Sequence, residues 1–164
     1  MNYYPEWRLA RQEDIPSMTD LAIKSTEQVS EVFQTDPAYY AYQLDLALAH
    51  QRHNLAVEQI IVCRDARTDQ LLSYAWVSRG GRAVFSQDEM AEGRVVMIEP
   101  TLPTRLKLRL VEDTLQHWIH WCEACGIPIL VSTSIRKEHT AFMRLHLRAG
   151  FLVRGNWAYR KVNY

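Results

Sequence analysis

The chain has 164 residues, which is about the size of one ordinary domain, and we predict a single domain over residues 1–164. Its 48% hydrophobic and 23% charged residues, with only 6 Gly and 6 Pro, exclude the disordered, collagen-like and coiled-coil classes. Lys and Arg total 19 and Asp and Glu total 19, so no overall field attracts nucleic acid or an anionic membrane. Any anionic ligand must therefore be bound by a local arrangement of groups.

The cysteines and the N-terminal residues bear on the compartment. Three cysteines, Cys63, Cys122 and Cys125, are too few for a disulfide framework, and an odd number is ordinary in a reducing compartment. The first eleven residues carry charges and lack the apolar run of a signal peptide. Apolar stretches elsewhere are interrupted by charge well short of the roughly 20 residues that cross a bilayer. We therefore expect a cytoplasmic protein that binds neither membrane nor nucleic acid.

The first third of the chain predicts one strand and two helices. Residues 7–11 alternate apolar and polar side chains, which is typical of a half-buried strand. Apolar residues at helical spacing follow an acidic start and predict a helix over residues 15–28. Asp36 and Pro37 are a favourable N-cap and first helical residue, so a second helix is expected from residue 37 to about residue 53.

The middle of the chain predicts strands. Residues 57–63 and 71–78 are rich in β-branched and aromatic side chains around a polar turn, which indicates an antiparallel hairpin. Residues 80–92 are polar apart from an apolar island at residues 83–85, and they give no strand signal. Residues 95–98 form a short apolar run typical of a buried strand.

The last third begins with the strongest helix signal. Apolar residues at spacings of three and four predict a helix over residues 104–125, ended by Gly126 and Pro128. Four further elements are predicted after it, namely a buried strand, an amphipathic helix and two final strands, at residues 129–134, 140–148, 151–155 and 157–162. The order predicts a mixed α/β fold, with a central mixed sheet flanked by about four helices. The long helix is expected to connect two parallel strands.

Three local patterns add a family resemblance. Residues 7–16 look like a first strand followed by the acidic start of a first helix, and residues 96–100 look like a fourth strand leading into a cofactor-binding helix. Residues 139–151 resemble a pattern of an Asn, a helix that contains a Tyr, and a closing Gly-Phe. In this order and spacing, the chain resembles the GNAT superfamily of acetyl-CoA-dependent N-acetyltransferases over nearly its whole length.

The resemblance implies a donor site and a mechanism. Acetyl-CoA would place its pyrophosphate on backbone N–H groups at the start of the long helix and its pantetheine arm in a gap between two splayed parallel strands. A base takes a proton from the amine, strand N–H groups polarise the thioester carbonyl, and a Tyr hydroxyl protonates the leaving thiolate. The residues that this resemblance places at the cofactor are Ile98, Arg105, Lys107, Arg109 and His139.

The chain also departs from the family at its landmarks. Where the family has an Arg or Gln and two small residues, this chain has Pro103, Leu106 and Leu108, and Pro103 has no N–H to donate. The Asn position falls on His139 and the Tyr position on His146. The pyrophosphate loop is therefore degenerate.

Two alternatives follow from this degenerate loop. In the first, basic side chains replace the backbone cradle, His146 replaces the Tyr as acid, and the protein is an N-acetyltransferase acting on a small-molecule or protein amine. In the second, the site is inactive and the protein acts through protein–protein contacts. The chain is similar in this respect to divergent GNAT-like proteins of short-tailed phages, some of which are virion components. A homo-oligomer is compatible with either alternative.

For an active enzyme, the candidate general bases are Glu92 and Glu99, near the fourth strand. The amine acceptor would enter beside the first two helices. The residues that could line this groove are Glu27, Glu31, Tyr39, Tyr40 and Tyr42.

A metal site is not predicted, although His117, His120, Cys122 and Cys125 are of zinc-ligand type. On one helix, His120 and Cys122 point roughly 160° apart and cannot converge on one ion. Thiolate is also disfavoured at a helix C-terminus, so the two cysteines are expected to pack in the core.

Overall fold

The computed structural model describes residues 2–26, 34–134 and 140–154. These residues form a five-stranded sheet and four helices. The strands are β1 (Pro5–Leu9), β2 (Glu58–Asp65), β3 (Leu71–Arg82), β4 (Glu89–Ile98) and β5 (Ile129–Ser132). The helices are α1 (Ile15–Thr26), α2 (Pro37–His53), α3 (Thr104–Cys125) and α4 (Thr140–Arg148).

The sheet follows chain order, β1-β2-β3-β4-β5. The strands β1 to β4 pair antiparallel, whereas β4 and β5 pair parallel and are connected through α3. A parallel pair needs such a crossover because a tight turn cannot join two strands that run in the same direction. The predicted mixed α/β fold is therefore confirmed.

The helices bury their apolar sides against opposite faces of the sheet. On one face, Met18 of α1 and Leu44 and Leu48 of α2 pack against Ile60 and Tyr74. On the other face, α3 and α4 cover the sheet, and the buried cluster there includes Ala75, Ala91, Leu115, Trp118 and Leu145. Removing this apolar surface from water is the main stabilising contribution on both sides.

Helix ends occur where the sequence predicts them. The Asp36 carboxylate accepts the Tyr39 N–H at 3.0 Å and caps α2. Gly126 follows α3 at φ 67°, a left-handed conformation in which glycine avoids the strain that a Cβ would cause. The predicted bounds of α2, α3 and α4 are confirmed.

The strands predicted over residues 71–78 and 95–98 are too short, and only residues 83–88 between them form a loop. Strand β3 continues to Arg82 and β4 begins at Glu89, so the two form a long hairpin in which the Arg79 Nη2 lies 2.7 Å from the Glu89 Oε2. Only residues 80–82 and 89 form a two-stranded ribbon beyond the core, and with both faces exposed they need not alternate in polarity. Residues 90–93 of β4 also pair with β5, where the only buried residues are Ala91 and Gly93. At the hairpin tip, Val84 and Phe85 are fully exposed.

Other strand bounds also differ from the prediction. Strand β1 covers Pro5–Leu9 rather than residues 7–11, because the Asp14 carboxylate accepts the Arg11 N–H at 2.9 Å and the chain turns there into a short 3₁₀ helix. Strand β5 ends at Ser132 rather than at residue 134. Residues 151–154 form no strand, and residues 155 and 157–162 of the last two predicted strands lie outside the described residues. Among the described helices, none has the length and apolar character needed to span a bilayer.

Asp14 joins three elements at the start of the chain. Its carboxylate is fully buried and accepts from Arg8 of β1 at 2.7 Å and from Arg64 of β2 at 2.8 Å. Burial by itself would raise the pKa of Asp14, but the hydrogen bonds from Arg8, Arg11 and Arg64 outweigh it and lower the pKa below its usual value. The carboxylate is therefore held ionised in the folded protein.

Candidate active site

Strands β4 and β5 part in the middle of β4. Parallel pairing covers residues 90–93 of β4 and ends with Gly93 opposite Ser132, whereas β4 continues to Ile98. On its other side, β4 has Val95 opposite Trp76 and Gly93 opposite Val77, so Arg94 is the extra residue of a β-bulge. A bulge bends its strand, and this one lies where β4 leaves β5. We call the gap between residues 94–98 of β4 and the end of β5 the split.

Gly93 lies directly over the ring of Trp118. A Cβ at position 93 would come closer than 3.0 Å to three atoms of the indole ring, so only glycine fits here. Trp118 is 1% exposed and belongs to α3, which connects the two strands of the split. The ring thus fixes the distance between α3 and the sheet at the start of the split.

Ser132 and His146 form a hydrogen-bonded pair where the strands part. The Nε2 of His146 lies 2.8 Å from the Ser132 Oγ, and its Nδ1 lies 2.9 Å from the carbonyl oxygen of Phe142. A carbonyl oxygen can only accept, so Nδ1 carries a proton. In the neutral ring, Nε2 then accepts the hydroxyl proton of Ser132.

Burial keeps the His146 ring neutral. The side chain is 1% exposed, with the rings of Phe142 and Phe151 at 4.4 and 4.9 Å between centroids. Burial lowers the pKa of His146, and the hydrogen bond with Phe142 offsets this only in part. At neutral pH the ring is therefore a base, and the lone pair of its Nε2 accepts from the Ser132 hydroxyl.

The start of α3 lies just beyond the end of β4. The N–H groups of residues 104–106 precede the first backbone bond of the helix, from the Lys107 N–H to the Pro103 oxygen at 3.0 Å. Leu106 packs against the core, whereas Leu108 is 37% exposed. The two leucines that stand at the small-residue positions therefore differ, because Leu106 turns inward and Leu108 faces solvent.

The three basic residues at this helix start differ in their surroundings. Arg105 and Arg109 are both exposed, and the Arg109 Nε lies 3.9 Å from the Asp113 carboxylate in the next turn. Lys107 is half-buried and donates from Nζ to the Pro100 oxygen at 3.0 Å. Two guanidinium groups beside unpaired helix N–H groups suit a phosphate oxygen, since both the dipole and the side chains favour an anion.

The two candidate bases have different environments. Glu92 is exposed and its carboxylate lies 3.8 Å from the Arg94 guanidinium. Glu99 is buried, accepts from the Thr101 hydroxyl at 2.9 Å, and lies 3.7 Å from the Lys24 Nζ. Glu92 is adjacent to Gly93, whereas Glu99 follows the other end of the split.

The remaining predicted site residues have mixed outcomes. Ile98 is half-buried opposite Ser73 on β3, and Tyr39 and Tyr42 are about 60% exposed on α2. Tyr40 turns inward to the Tyr74 hydroxyl at 2.7 Å, and burial raises its pKa to about 12, although that hydrogen bond acts the other way. The other three, Glu27, Glu31 and His139, lie outside the described residues.

A buried carboxylate on the α1/α2 side was not predicted. Glu58 is buried, accepts from the Trp76 Nε1 at 2.7 Å and lies 2.9 Å from the His50 Nδ1. The guanidinium of Arg94, the bulge residue, lies 5.5 Å from the Trp76 ring centroid. Glu58 and Trp76 therefore place one acidic and one aromatic group next to the bulge, on the face opposite α3.

Ser132 was also missed, although the sequence carries a signal for it. The apolar strand residues 129–131 give way to hydroxyl side chains at Ser132, Thr133 and Ser134. In α/β sheets, ligands bind at the carboxyl ends of parallel strands, and polar residues there are candidates for a site. Within the described part of the chain, no three His, Cys, Asp or Glu side chains are grouped to hold a metal ion.

No protein-family profile matches this sequence, and no curated protein matches it. Solved structures do match. Glucosamine-6-phosphate N-acetyltransferase from Arabidopsis thaliana is 10% identical, with a TM-score of 0.71 over 98% of this chain and 99% of the other. A predicted acetyltransferase with acetyl-CoA from Clostridium acetobutylicum is also 10% identical, with a TM-score of 0.72 over 96% of each chain.

A third solved structure is the aminoglycoside N-acetyltransferase AAC(6')-Iy in complex with CoA. It is 11% identical, with a TM-score of 0.69 over 100% of this chain and 98% of the other. At such identities the likeness shows the fold, and function must be argued from the site itself. The mixed sheet, its four helices and these likenesses show that the chain has the fold of the GNAT acetyltransferases.

Proposed function

We propose that the protein is an acyl-CoA-dependent N-acyltransferase whose acceptor is an amine on a small molecule or a protein. The observation that carries this proposal is the split itself. Strand β4 bulges at Arg94 and leaves β5 after Gly93, and its carboxyl end leads into the start of α3. An extended thioester arm fits between two parting strands, and a diphosphate fits a helix N-terminus.

The donor would be held by groups around this gap. The first-turn N–H groups of α3 and the exposed Arg105 and Arg109 would bind the diphosphate, with side-chain charge substituting for the missing glycines. Lys107, which already donates to the Pro100 oxygen, would add charge at longer range. Ile98 would form part of the apolar wall, and His139 stays a candidate donor contact. When bound, the acyl-CoA supplies an activated acyl group.

The acceptor would approach from the α1/α2 side. Glu92 is the better placed of the two bases because its carboxylate is exposed beside Gly93. Glu99 is the alternative, and Thr101 and Lys24 already contact its carboxylate. Proton removal by a positioned carboxylate typically contributes about 10²- to 10⁴-fold to the rate. His146 of α4, which is hydrogen-bonded to Ser132 at the end of β5, would manage the proton of the leaving thiol.

The test is a titration of acetyl-CoA followed by thermal unfolding. A ligand that binds only the folded state raises the midpoint, with about 2.7 kcal/mol of stabilisation at a hundredfold excess over Kd. The double variant Arg105→Ala/Arg109→Ala should shift less at equal ligand concentration. The matched control is Arg11→Ala/Arg82→Ala, which removes two exposed arginines away from α3. The absence of any shift in the unmodified protein at millimolar acetyl-CoA would refute the proposal.

A second candidate is a binding protein without catalytic activity, for example a virion or host-contact component. The observation that favours it is the hairpin tip, where Val84 and Phe85 expose their whole side chains. Fully exposed large apolar residues at one tip are a common sign of a protein contact. The acetyl-CoA titration separates the two candidates, because a contact protein with a closed donor site gives no shift.

A further inference from the structure

We propose that Ser132 is a nucleophile that accepts the acyl group covalently, with His146 as its general base and the Phe142 carbonyl holding His146 in place. The proposal rests on the proposed function only for the identity of its donor, acyl-CoA. It adds an acyl-enzyme step that neither the fold nor the predicted site residues require.

The geometry is that of an activated hydroxyl. The Ser132 Oγ lies 2.8 Å from the His146 Nε2, and the Nδ1 on the other side of the ring lies 2.9 Å from the Phe142 oxygen. A nucleophile in hydrogen-bond reach of a base, which a third group orients in turn, is the recurring arrangement of nucleophilic catalysis. Here a main-chain carbonyl takes the place of the orienting carboxylate. The carbonyl and His146 are one turn apart on α4, so the helix itself fixes this orientation.

Ser132 is more exposed than His146, as a nucleophile that meets a substrate must be more exposed than the base behind it. Ser132 is half-buried, at the last paired position of β5 and opposite Gly93, so its hydroxyl lies where the strands part. His146 is 1% exposed behind it, packed between Phe142 and Phe151. A molecule in the split would therefore meet the serine, and water has little access to the imidazole.

The tautomer of His146 explains why the proton for the leaving thiolate must come from Ser132. The Nδ1 proton is bound to the Phe142 oxygen and Nε2 carries only a lone pair, so the resting His146 has no proton to give to a leaving thiolate. The hydroxyl that donates to Nε2 belongs to Ser132. Once Nε2 has taken that proton, the His146 imidazolium can donate it to the leaving thiolate, which the neutral ring cannot do.

The step balances as an acyl transfer. The Ser132 Oγ attacks the thioester carbonyl carbon, its proton moves to the His146 Nε2, and a C–O bond forms as the C–S bond breaks. The leaving thiolate takes the proton from Nε2 and departs as the free thiol. Glu92 or Glu99 removes one proton from the acceptor ammonium group, and the neutral amine then attacks the serine ester and gives a second proton to Nε2. The returning Oγ takes that proton as the amide forms. Neither half needs an oxidant, a reductant or a metal ion.

The cysteines are poor competitors for the acyl group. Burial raises the pKa of Cys63 to about 12 and that of Cys122 to about 11, so both remain protonated and weakly nucleophilic at neutral pH. Both of these thiols are buried, whereas Cys125 is half-buried, and burial raises its pKa as well. A covalent acyl group found on the protein can therefore be assigned by mapping without a strong background from these side chains.

The experiment is acyl labelling without an acceptor amine. The full-length protein is treated separately with acetyl-CoA and with p-nitrophenyl acetate, quenched in acid, and analysed by intact mass and peptide fragmentation. We expect one acetyl group on Ser132 and a burst of p-nitrophenolate. Ser132→Ala should abolish the label and slow the burst at least about 100-fold. The matched control is Ser86→Ala, because Ser86 is also half-buried but its hydroxyl donates to Asp88 at 2.9 Å.

A second variant covers loss of folding. Ser132→Cys keeps a nucleophile of similar size on His146 and should be labelled as a thioester that hydroxylamine removes. His146→Gln keeps a polar side chain and should lower the labelling rate about 10²- to 10⁴-fold if the imidazole is the base. Unchanged labelling in His146→Gln would contradict the assigned base.

The two reagents separate this inference from the proposed function. Label on Ser132 from p-nitrophenyl acetate but none from acetyl-CoA supports the nucleophile and counts against an acyl-CoA donor. A thermal shift and amine acetylation with acetyl-CoA, at an unchanged rate in Ser132→Ala and with no labelled serine, overturns the nucleophile and leaves the proposed function standing. No Ser132 label from either reagent in the folded protein also overturns it.

Discussion

Residue 93 must be glycine because of one neighbouring side chain, Trp118. The indole ring of Trp118 occupies the space that a Cβ at position 93 would need. The ring is fully buried and packed against the sheet, so it has no room to withdraw. The start of the split therefore depends on the absence of a side chain at this position.

Gly93→Ala should destabilise the protein by about 1–3 kcal/mol, since overpacking of a filled core has that cost. The measurement is the urea midpoint, with the acetyl-CoA titration repeated on the same variant. Gly81→Ala is the matched control on β3, where the added Cβ would come no closer than 3.4 Å to any atom, the nearest being the flexible end of Met90. Equal midpoints for the two variants would contradict the packing argument.

For single residues, the sequence indicated candidate site residues better than it indicated which residues they contact. His146 was a candidate from its position in the chain, but its hydrogen bond to Ser132 joins residues on two elements that only the folded chain brings together. Glu58 was missed for the same reason, because its contacts with His50 and Trp76 come from α2 and β3. Spacing along one element predicts which face a residue lies on, but it does not predict which residues of other elements pack against that face.

At the scale of elements, Asp14 connects β1, β2 and the start of α1. The sign of its pKa shift gives a pH dependence. Its folded pKa lies below the unfolded value of about 3.9, so its contribution to stability is present above that value and is lost as pH falls through the folded pKa. Acid should therefore separate these elements before it affects contacts that carry no ionised carboxylate.

Asp14→Asn should lower the free energy of unfolding at pH 7 by about 3–5 kcal/mol, because it leaves Arg8 and Arg64 without their shared buried partner. Its stability should also depend less on pH below about pH 4 than that of the unmodified protein. Chemical unfolding at a series of pH values measures both. Asp20→Asn, at an exposed position on α1, is the matched control and should retain the acid dependence. The same acid dependence in Asp14→Asn would contradict the assignment.

The helices were predictable as elements because their ends carry chemical signals. Asp36 before Pro37 and Gly126 after Cys125 mark the ends of α2 and α3. The outer halves of β3 and β4 were not predictable in this way. Residues 80–82 and 89 leave the core as a two-stranded ribbon and need not alternate in polarity. Residues 90–93 of β4 pair with β5, but the buried positions there hold only Ala and Gly, which give a weak apolar signal. The bulge at Arg94 likewise has no signal in the sequence. Its only mark is that no residue of β3 pairs with Arg94 in the sheet register, and an arginine at this position does not indicate that.

At the scale of the whole molecule, charge balance and the exposed hairpin tip act together. The isoelectric point of about 7.0 means that the protein carries almost no net charge at neutral pH. Without net repulsion, molecules approach each other freely, and an exposed apolar tip then favours association. The tip residues Val84 and Phe85 are the largest such exposure among the described residues.

Val84→Ser/Phe85→Ser should reduce light scattering of concentrated protein at pH 7 and leave the unfolding midpoint unchanged, since neither side chain has contacts to lose. Leu152→Ser removes one apolar side chain that is 83% exposed elsewhere and should have a smaller effect. Scattering that falls equally in both would mean that total apolar surface matters rather than the tip. Scattering that does not fall in the double variant would contradict the prediction.

The contact between Gly93 and Trp118 also restricts how related sequences can diverge. A side chain at position 93 is tolerated only after the indole has been lost, and loss of a buried Trp opens a cavity that costs about 3–5 kcal/mol. Proteins are stable by only about 5–15 kcal/mol, so either order of change passes through a weakened intermediate. The two positions are therefore expected to change together or not at all, and a single substitution at either should be rare among natural variants that remain folded.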